Sequence, residues 1–258
     1  MKEDKIMITK RYHFDMIDST NKKAKELAQQ GCESGTLVTA TEQIAGVGRS
    51  GRSWSSEKET GIYMSMMLRP KIDIANVSSL TLLAAMAVAK AFEKQGILQE
   101  HTPCIKWPND IVIHKKKICG ILTELVLNGM EMDCIVIGIG INVTNRQFPE
   151  EIAQTASSIL LETGVQVDKE QMIANIWNSF ADYYETFLQT EDFSILKENY
   201  ETYLINKEQQ VRVLDSAGEY EGTAKGITNK GELIVLTENE EKIVSSGEVS
   251  VRGIYGYV

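Results

Sequence analysis

The chain has 258 residues, 43% of them hydrophobic, which is enough for one large domain and a smaller appendage. Its formal net charge of −9 argues against nucleic acid as the main partner, because duplex binding draws on clustered lysines and arginines. The N-terminus has no signal-peptide pattern, and no segment suggests the roughly 18 apolar residues of a membrane span, so we expect a cytoplasmic protein. The four cysteines are far apart in sequence, which indicates reduced thiols rather than a zinc site or a redox dithiol.

The first part of the chain predicts helices that alternate with apolar strands. A short helix is expected over 19–30, with Ser19 or Thr20 as its N-cap. Residues 76–95 are apolar almost all round, so they predict a buried central helix packed on a sheet. Strands are expected over 36–41 and 62–68.

Three strand-like runs follow, and the short turns between them indicate an antiparallel meander. Pro108 cannot donate a hydrogen bond to a sheet, so the W-P-N-D segment is expected to be an irregular bulge at a strand end. The three runs cover 104–114, 117–127 and 133–143.

The second part of the chain predicts two helices and then a small β domain. Residues 168–188 have a helical pattern with an aromatic inner face, and a second helix is expected to end near residue 204. Beyond it, short alternating strands are separated by glycine turns, which is typical of a small barrel. The fold class expected is α+β, with a catalytic domain over 1–205 and a barrel over 206–258.

The segment G-V-G-R-S-G at 46–51 matches the glycine fingerprint of dinucleotide-binding proteins. That fingerprint requires a helix to begin at the glycines, whereas here a turn-like segment leads into a strand, so we exclude this interpretation. Arg49 and Arg52 are suited to clamp a phosphate, and a tryptophan in such a loop, Trp54, is suited to stack on a base. We expect a nucleotide lid over 46–57 that is poorly ordered without ligand.

Five short polar motifs in this order resemble those of the biotin protein ligases, the biotin–acetyl-CoA-carboxylase ligases. The resemblance covers nearly the whole chain, because the end segment S-S-G-E-V-S-V-R-G also resembles the C-terminal SH3-like barrel of that family. The motifs are S-T-N at 19–21, G-x-G-R-x-G-R-x-W at 46–54, K-W-P-N-D at 106–110, K-x-x-G-I-L-x-E at 117–124 and G-I-G-I-N at 138–142.

The resemblance implies a class II synthetase-like catalytic fold, in which helices pack on a mixed or antiparallel sheet. It also implies a two-step reaction with biotin, ATP and Mg²⁺. Biotin would first be activated as biotinyl-5′-AMP and then passed to a lysine of a biotin carboxyl carrier domain.

The resemblance also assigns roles to individual residues. Lys117, Arg49 and Asp110 are expected at the reaction centre, where Asp110 either orients Lys117 or helps to hold Mg²⁺. The residues expected to bind biotin are Ser19, Thr20, Asn21, Gln43, Gly46, Gly48, Arg49, Lys117 and Gly120. Those expected to bind the nucleotide are Arg49, Arg52, Trp54, Lys106, Asn109 and Asn142.

Two features differ from parts of that family. Val47 stands where many members have a cation, so we expect weaker biotin binding than in a relative with the full loop. Only 18 residues precede Ser19, so we expect no DNA-binding domain and no DNA partner. A homodimer is left open.

Two other functions compete with this interpretation. A lipoyl or octanoyl transferase shares the wider fold, but its arginine-rich, triple-glycine loop is absent from this sequence. A non-catalytic biotin-binding regulator is favoured only by Val47, and the presence of Lys117, Arg49 and Arg52 argues against it.

Overall fold

A seven-stranded mixed sheet forms the centre of the structure, a computed structural model that describes residues 6–97, 101–215, 218–247, 249–254 and 257–258. The strand order is β1-β2-β3-β7-β6-β5-β4, and every neighbouring pair except β1 and β2 is antiparallel. The predicted meander is therefore confirmed. The strands are β1 (Lys10–Ile17), β2 (Thr36–Gln43), β3 (Gly61–Leu68), β4 (Cys104–Lys106), β5 (Asp110–Ile113), β6 (Lys116–Asn128) and β7 (Glu131–Asn142).

The parallel pair arises because α1 (Thr20–Gln29) crosses from the end of β1 back to the start of β2. The predicted helix over 19–30 is confirmed, and Ser19 is its N-cap. Strand β1 was missed, because K-R-Y-H-F-D-M-I mixes charged and aromatic residues at an edge of the sheet, where little of the strand is buried.

The long helix α2 (Val77–Lys94) packs against the meander strands on one side and against α4 (Lys169–Phe187) on the other. By length and composition the segment Ile74–Lys94 passes for a membrane span, so the expectation that no segment approaches one was wrong. Most of the segment is buried inside the protein, which identifies it as the predicted core helix. The aromatic face of α4 is buried as predicted, at Trp177, Phe180, Tyr184 and Phe187.

The W-P-N-D segment was predicted to be a bulge at the end of one long strand, and the structure differs from this prediction. The run at 104–114 divides into β4 and β5, which pair with each other and place Lys106 opposite Asp110. Trp107, Pro108 and Asn109 form the turn between them. The two flanking motif residues therefore face each other across a tight hairpin. A five-residue helix, α3 (Ile159–Thr163), was also missed.

The C-terminal segment forms a separate five-stranded antiparallel sheet in the order β11-β10-β9-β8-β12. It follows α5 (Lys197–Tyr203), the predicted second helix. The antiparallel β domain is confirmed, whereas closure into a barrel stays a prediction, because no pairing of β11 with β12 is found in the described residues. The strands are β8 (Gln210–Asp215), β9 (Gly218–Ile227), β10 (Leu233–Leu236), β11 (Glu241–Val244) and β12 (Ser250–Gly253).

Trp107 connects the seven-stranded sheet to the C-terminal sheet through hydrogen bonds. Its indole N–H donates to the carbonyl of Gly231 at 3.0 Å, and its backbone N–H donates to Oδ1 of Asn206 at 2.9 Å. The apolar residues of both sheets also form one continuous core. A residue of the K-W-P-N-D motif therefore contributes to the interface with the C-terminal domain.

Replacing Trp107 by phenylalanine should lower the free energy of unfolding by about 1 to 2 kcal/mol more than the same change at Trp177. Both indoles are buried, at 1% and 3% exposure, so both variants lose a similar volume. The Trp107 variant leaves the buried carbonyl of Gly231 without its hydrogen-bond donor at 3.0 Å. The Trp177 variant loses only a longer hydrogen bond, of 3.4 Å, to the carbonyl of Ile6. Urea unfolding followed by far-UV circular dichroism measures the difference, and equal losses would contradict the coupling.

Candidate functional site

A cleft of about 510 Å³ lies between the glycine loop, the inner ends of β6 and β7, the W-P-N-D turn and the C-terminal segment. Of the predicted site residues, only Gly46 does not line the cleft, because it is packed against the backbone of Trp54 near the start of the loop. The predicted residues that line the cleft are Ser19, Thr20, Asn21, Gln43, Gly48, Arg49, Arg52, Trp54, Lys106, Asn109, Asp110, Lys117, Gly120 and Asn142.

The S-T-N motif starts α1 at one end of the cleft. Ser19 is buried and extended, yet its hydroxyl makes no capping hydrogen bond, so the motif is not there simply to cap the helix. The backbone N–H and the hydroxyl of Thr20 both lie within 3.1 Å of Gln43 Oε1. Gln43 Nε2 donates in turn to Ser56 at 2.8 Å. This end of the cleft is a network of fixed hydrogen-bonding groups.

Two residues that sequence reasoning did not assign hold this network. The Ser65 hydroxyl on β3 lies 2.8 Å from Thr20 Oγ1 and 2.6 Å from Asn21 Oδ1. Glu124 accepts from Asn21 Nδ2 at 2.8 Å. A signal existed for both: Ser65 interrupts an apolar strand, and Glu124 ends the K-x-x-G-I-L-x-E motif. The close approach of Asn21 also requires a glycine at Gly138, where a Cβ would come within 2.1 Å of Asn21 Oδ1.

The glycine loop forms a hairpin rather than the start of a helix, so the exclusion of a dinucleotide fingerprint holds. Gln43 pairs with Ser56, and Val47 pairs with Ser53. The tip turns through a short 3₁₀ segment, Arg49–Gly51. Disorder of this loop without ligand stays a prediction.

Trp54 lies at the base of this hairpin on the floor of the cleft. Its indole covers the sheet where Gly120 and Gly140 leave room for it; a Cβ at Gly140 would come within 2.4 Å of Trp54 Nε1. The indole N–H is buried and has no hydrogen-bond partner among the described residues. Lys117 Nζ lies 5.4 Å from the ring centroid. The ring is therefore only partly exposed, and its N–H lies against the sheet at Gly140.

Arg49 extends from the hairpin tip to the opposite wall. It donates to Asn109 Oδ1 at 3.0 Å and to the carbonyls of Ser246, Gly247 and Val249 at 2.6 to 3.2 Å. Burial lowers the pKa of its guanidinium from the usual value, although Asp110 opposes the shift. These partners are neutral amides, so Arg49 keeps a positive charge that no carboxylate of the described residues pairs directly.

A buried carboxylate organises the cations on the cleft wall. Lys117 Nζ lies 2.7 Å from Asp110 Oδ1. Burial by itself would raise the pKa of Asp110, but the ammonium groups of Lys117 and Lys106 outweigh it and hold the pKa below its usual value. Burial also lowers the pKa of Lys106 to about 8, an effect that Asp110 partly offsets.

The C-terminal segment adds two side chains that sequence reasoning missed. Arg252 on β12 lines the cleft, and Tyr257 enters it beside Asp110. The Tyr257 hydroxyl donates to Asp110 Oδ2, and its ring lies 4.1 Å from Lys106 Nζ. No sequence pattern marks Tyr257, since it follows the last strand near the chain end.

The side chains of Asn109 and Asn142 donate hydrogen bonds to backbone carbonyls. Asn109 Nδ2 donates to the carbonyl of Ile121 at 2.9 Å, which ties the W-P-N-D turn to β6. Asn142 Nδ2 donates to the carbonyl of Ser157 at 3.0 Å at the end of β7. Both side chains border the cleft, but each amide is already bonded to the protein.

The described residues do not fit a resident magnesium ion. Asp110 Oδ2 accepts a hydrogen bond from Tyr257, and Oδ1 lies in the ion pair with Lys117, although Oδ1 has no partner of regular hydrogen-bond geometry among the described residues. No group of three or more acidic, histidine or cysteine residues in the described ranges is arranged to hold a metal. The geometry thus favours an orienting role for Asp110 over the metal-binding alternative.

Comparison with known proteins identifies the architecture. Residues 13–142 match the model of the biotin/lipoate A/B protein ligase family, and residues 208–252 match the biotin protein ligase C-terminal domain. This chain belongs to the biotin/lipoate A/B protein ligase family. The predicted family and the fold class are thereby confirmed.

Relatives of known activity place it among the biotin ligases. The chain is 37% identical to the bifunctional ligase/repressor BirA of Bacillus spizizenii over 92% of this chain and 72% of that protein. It is 28% identical to the biotin–[acetyl-CoA-carboxylase] ligase of Paracoccus denitrificans over 92% and 98% of the two chains. The biotin protein ligase of Aquifex aeolicus, solved with biotin and ATP, superposes with a TM-score of 0.83 at 30% identity. The match covers 95% of this chain and 99% of that chain.

Raising the pH through about 8 should weaken ATP binding to this protein, because the Lys106 ammonium loses its proton in that range. A triphosphate near this amine favours its charged form, so binding at pH 8 should take up roughly half a proton. Calorimetry in two buffers of different ionisation enthalpy measures the uptake. Lys106→Met should abolish it, whereas Lys94→Met, whose amine bonds Ser179, should not. Equal uptake in Lys106→Met and wild type would contradict the assignment.

Proposed function

We propose that this chain is a biotin–protein ligase that uses its cleft to bring two anions together. A carboxylate oxygen of biotin attacks the α-phosphorus of ATP, the bond to the β-phosphate breaks and pyrophosphate leaves. The amine of a carrier lysine then attacks the acyl carbon, loses a proton and displaces AMP. The relatives named as ligases and the neighbour solved with biotin and ATP support this activity.

The observation that carries the proposal is the convergence of residues from five separate motifs on one cleft. Two unit charges about 4 Å apart repel by about 4 kcal/mol at an effective dielectric constant of roughly 20, so fixed cations are needed before the anions can react. Lys117 meets that need, because its ion pair with Asp110 holds the amine at the centre of the cleft.

Biotin is assigned to the end of the cleft where α1 begins. The Ser19 hydroxyl, which makes no capping hydrogen bond, and the linked polar groups of Thr20 and Gln43 are suited to bind the polar head group. The tail would run along β6 at Gly120, towards Lys117. Weaker binding because of Val47 stays a prediction; this side chain is half exposed at the cleft.

The nucleotide is assigned to the other end, where the cations gather. Arg49, Arg52 and Lys106 surround the space proposed for the phosphates. Trp54 is the flat surface proposed for adenine, because its ring lies on the floor of the cleft. Magnesium would enter as part of the MgATP substrate. In this proposal Asp110 acts by orienting Lys117.

A lipoyl-type transferase is the rival that the family model alone does not distinguish, since its description covers both chemistries. The match of residues 208–252 to the biotin ligase C-terminal domain favours biotin. A carrier domain as acceptor follows from the ligase activity of the relatives. Cytoplasmic location and the absence of a DNA partner stay predictions, and a homodimer is left open.

The activity itself is tested by incubating the protein with ATP, biotin and a biotin carboxyl carrier domain. Mass spectrometry should show one biotinyl group on one carrier lysine, and pyrophosphate should appear without the carrier as well. A pure biotin-binding regulator would release no pyrophosphate. Transfer of lipoate or octanoate in preference to biotin would favour the transferase.

Lys117→Met should lower the rate of pyrophosphate release at least 100-fold, because it removes the cation placed between the two substrates. Lys116→Met is the matched control: the neighbouring amine instead pairs with Glu162 at 3.1 Å. The control should keep near-normal turnover. Pyrophosphate release and circular dichroism are measured for both variants, and near-normal turnover of a folded Lys117→Met protein would overturn its role.

A further inference from the structure

The C-terminal tail places an aromatic side chain at the centre of the charged cluster. Tyr257 lies beyond the last strand, and its hydroxyl donates to Asp110 Oδ2. The opposite oxygen of the same carboxylate lies 2.7 Å from Lys117 Nζ. These two contacts restrain rotation of the carboxylate about its last bond, so the tyrosine helps to fix the side on which the lysine amine is held.

The ring of Tyr257 adds a second restraint. Lys106 Nζ lies 4.1 Å from the ring centroid, within range of a cation–π interaction. Lys106 is almost fully buried, so its ammonium depends on these nearby groups for stabilisation. One tyrosine therefore contacts two charged groups of the K-W-P-N-D motif and, through Asp110, restrains Lys117.

We propose that Tyr257 is a positioning residue of the reaction centre, which holds Asp110 so that Lys117 stays directed at the reacting carboxylate and phosphate. This rests on the proposed function, since Lys117 must act on those substrates. The proposal gives the C-terminal domain a defined task in biotin activation: it supplies the group that orients the central acid. Tyr257 itself donates to Asp110 and touches no reacting atom.

The test compares Tyr257→Phe with wild type in the pyrophosphate-release assay. The variant keeps the ring under Lys106 and loses only the hydroxyl. A hydrogen bond to a charged group supports an expected loss of about tenfold or more in kcat. The KM for biotin should change by less than twofold, because the biotin end of the cleft is formed by α1 and β2.

Tyr220→Phe is the matched control. Tyr220 belongs to the same C-terminal sheet and also lies near a lysine, with Lys242 Nζ 4.5 Å from its ring centroid, but it does not line the cleft. Its variant should keep wild-type kcat. Tyr257→Phe should unfold at a lower urea concentration than Tyr220→Phe, because the buried Asp110 loses a hydrogen bond. Turnover is therefore compared where circular dichroism shows both variants folded. A lower kcat with an unchanged KM for biotin in folded protein is a result that a merely structural role of Tyr257 would not give.

The outcomes separate this proposal from the function on which it depends. Wild-type protein that releases no pyrophosphate would refute the proposed function. Active wild type with an unchanged kcat in Tyr257→Phe would refute only the positioning role. A higher kcat or a lower KM for ATP would also overturn it, since the tail would then obstruct the cleft.

A second variant covers the case in which Tyr257→Phe does not fold. Deleting Tyr257 and Val258 removes the ring and the hydroxyl together but leaves all described strands intact. This truncation should lower kcat at least as much as the point substitution is expected to. A truncated protein with normal kcat would overturn the proposal.

Discussion

The buried carboxylate of Asp110 is the constraint on which the charged side of the cleft depends. A charge taken out of water must be paired, and Asp110 is paired by Lys117 and stabilised by the nearby Lys106. The two ammonium groups are consequently held at the cleft before any ligand arrives. Fixed cations need no reorganisation when negative charge enters, which is what joining two anions requires. The same burial that lowers the pKa of Lys106 thus also prepares the site.

The floor of the cleft depends on residues without side chains. Gly140 on β7 leaves the space that the Trp54 indole fills, and Gly138 allows Asn21 to reach Ser65. Along a strand, every second residue points to the same face of the sheet. The alternation in G-I-G-I-N therefore opens one face for the ligand site while its isoleucines stay in the core on the other face.

Most elements were predictable from sequence, and nearly all predicted site residues line the cleft, because their signals are local. The periodicity of α2, the turns of the meander and the order of the polar motifs require no knowledge of distant contacts. Strand β1 was missed because its pairing with β2 depends on α1 returning the chain. Tyr257 was missed for a similar reason: its meaning lies in a contact with Asp110, 147 positions earlier, and nothing around it in sequence indicates that contact.

The site residues also join the two domains, and this combination constrains how the cleft can work. Trp107 donates to the carbonyl of Gly231, and Tyr257 donates to Asp110. Arg49 donates to the carbonyls of Ser246, Gly247 and Val249. Carbonyls are neutral acceptors, so they hold the guanidinium without cancelling its charge, and a phosphate is a stronger acceptor for it. We therefore expect a nucleotide to compete with these carbonyls for Arg49, while the hydrogen bond of Trp107 keeps the C-terminal domain in place. On this expectation the hairpin would rearrange on binding without separation of the domains.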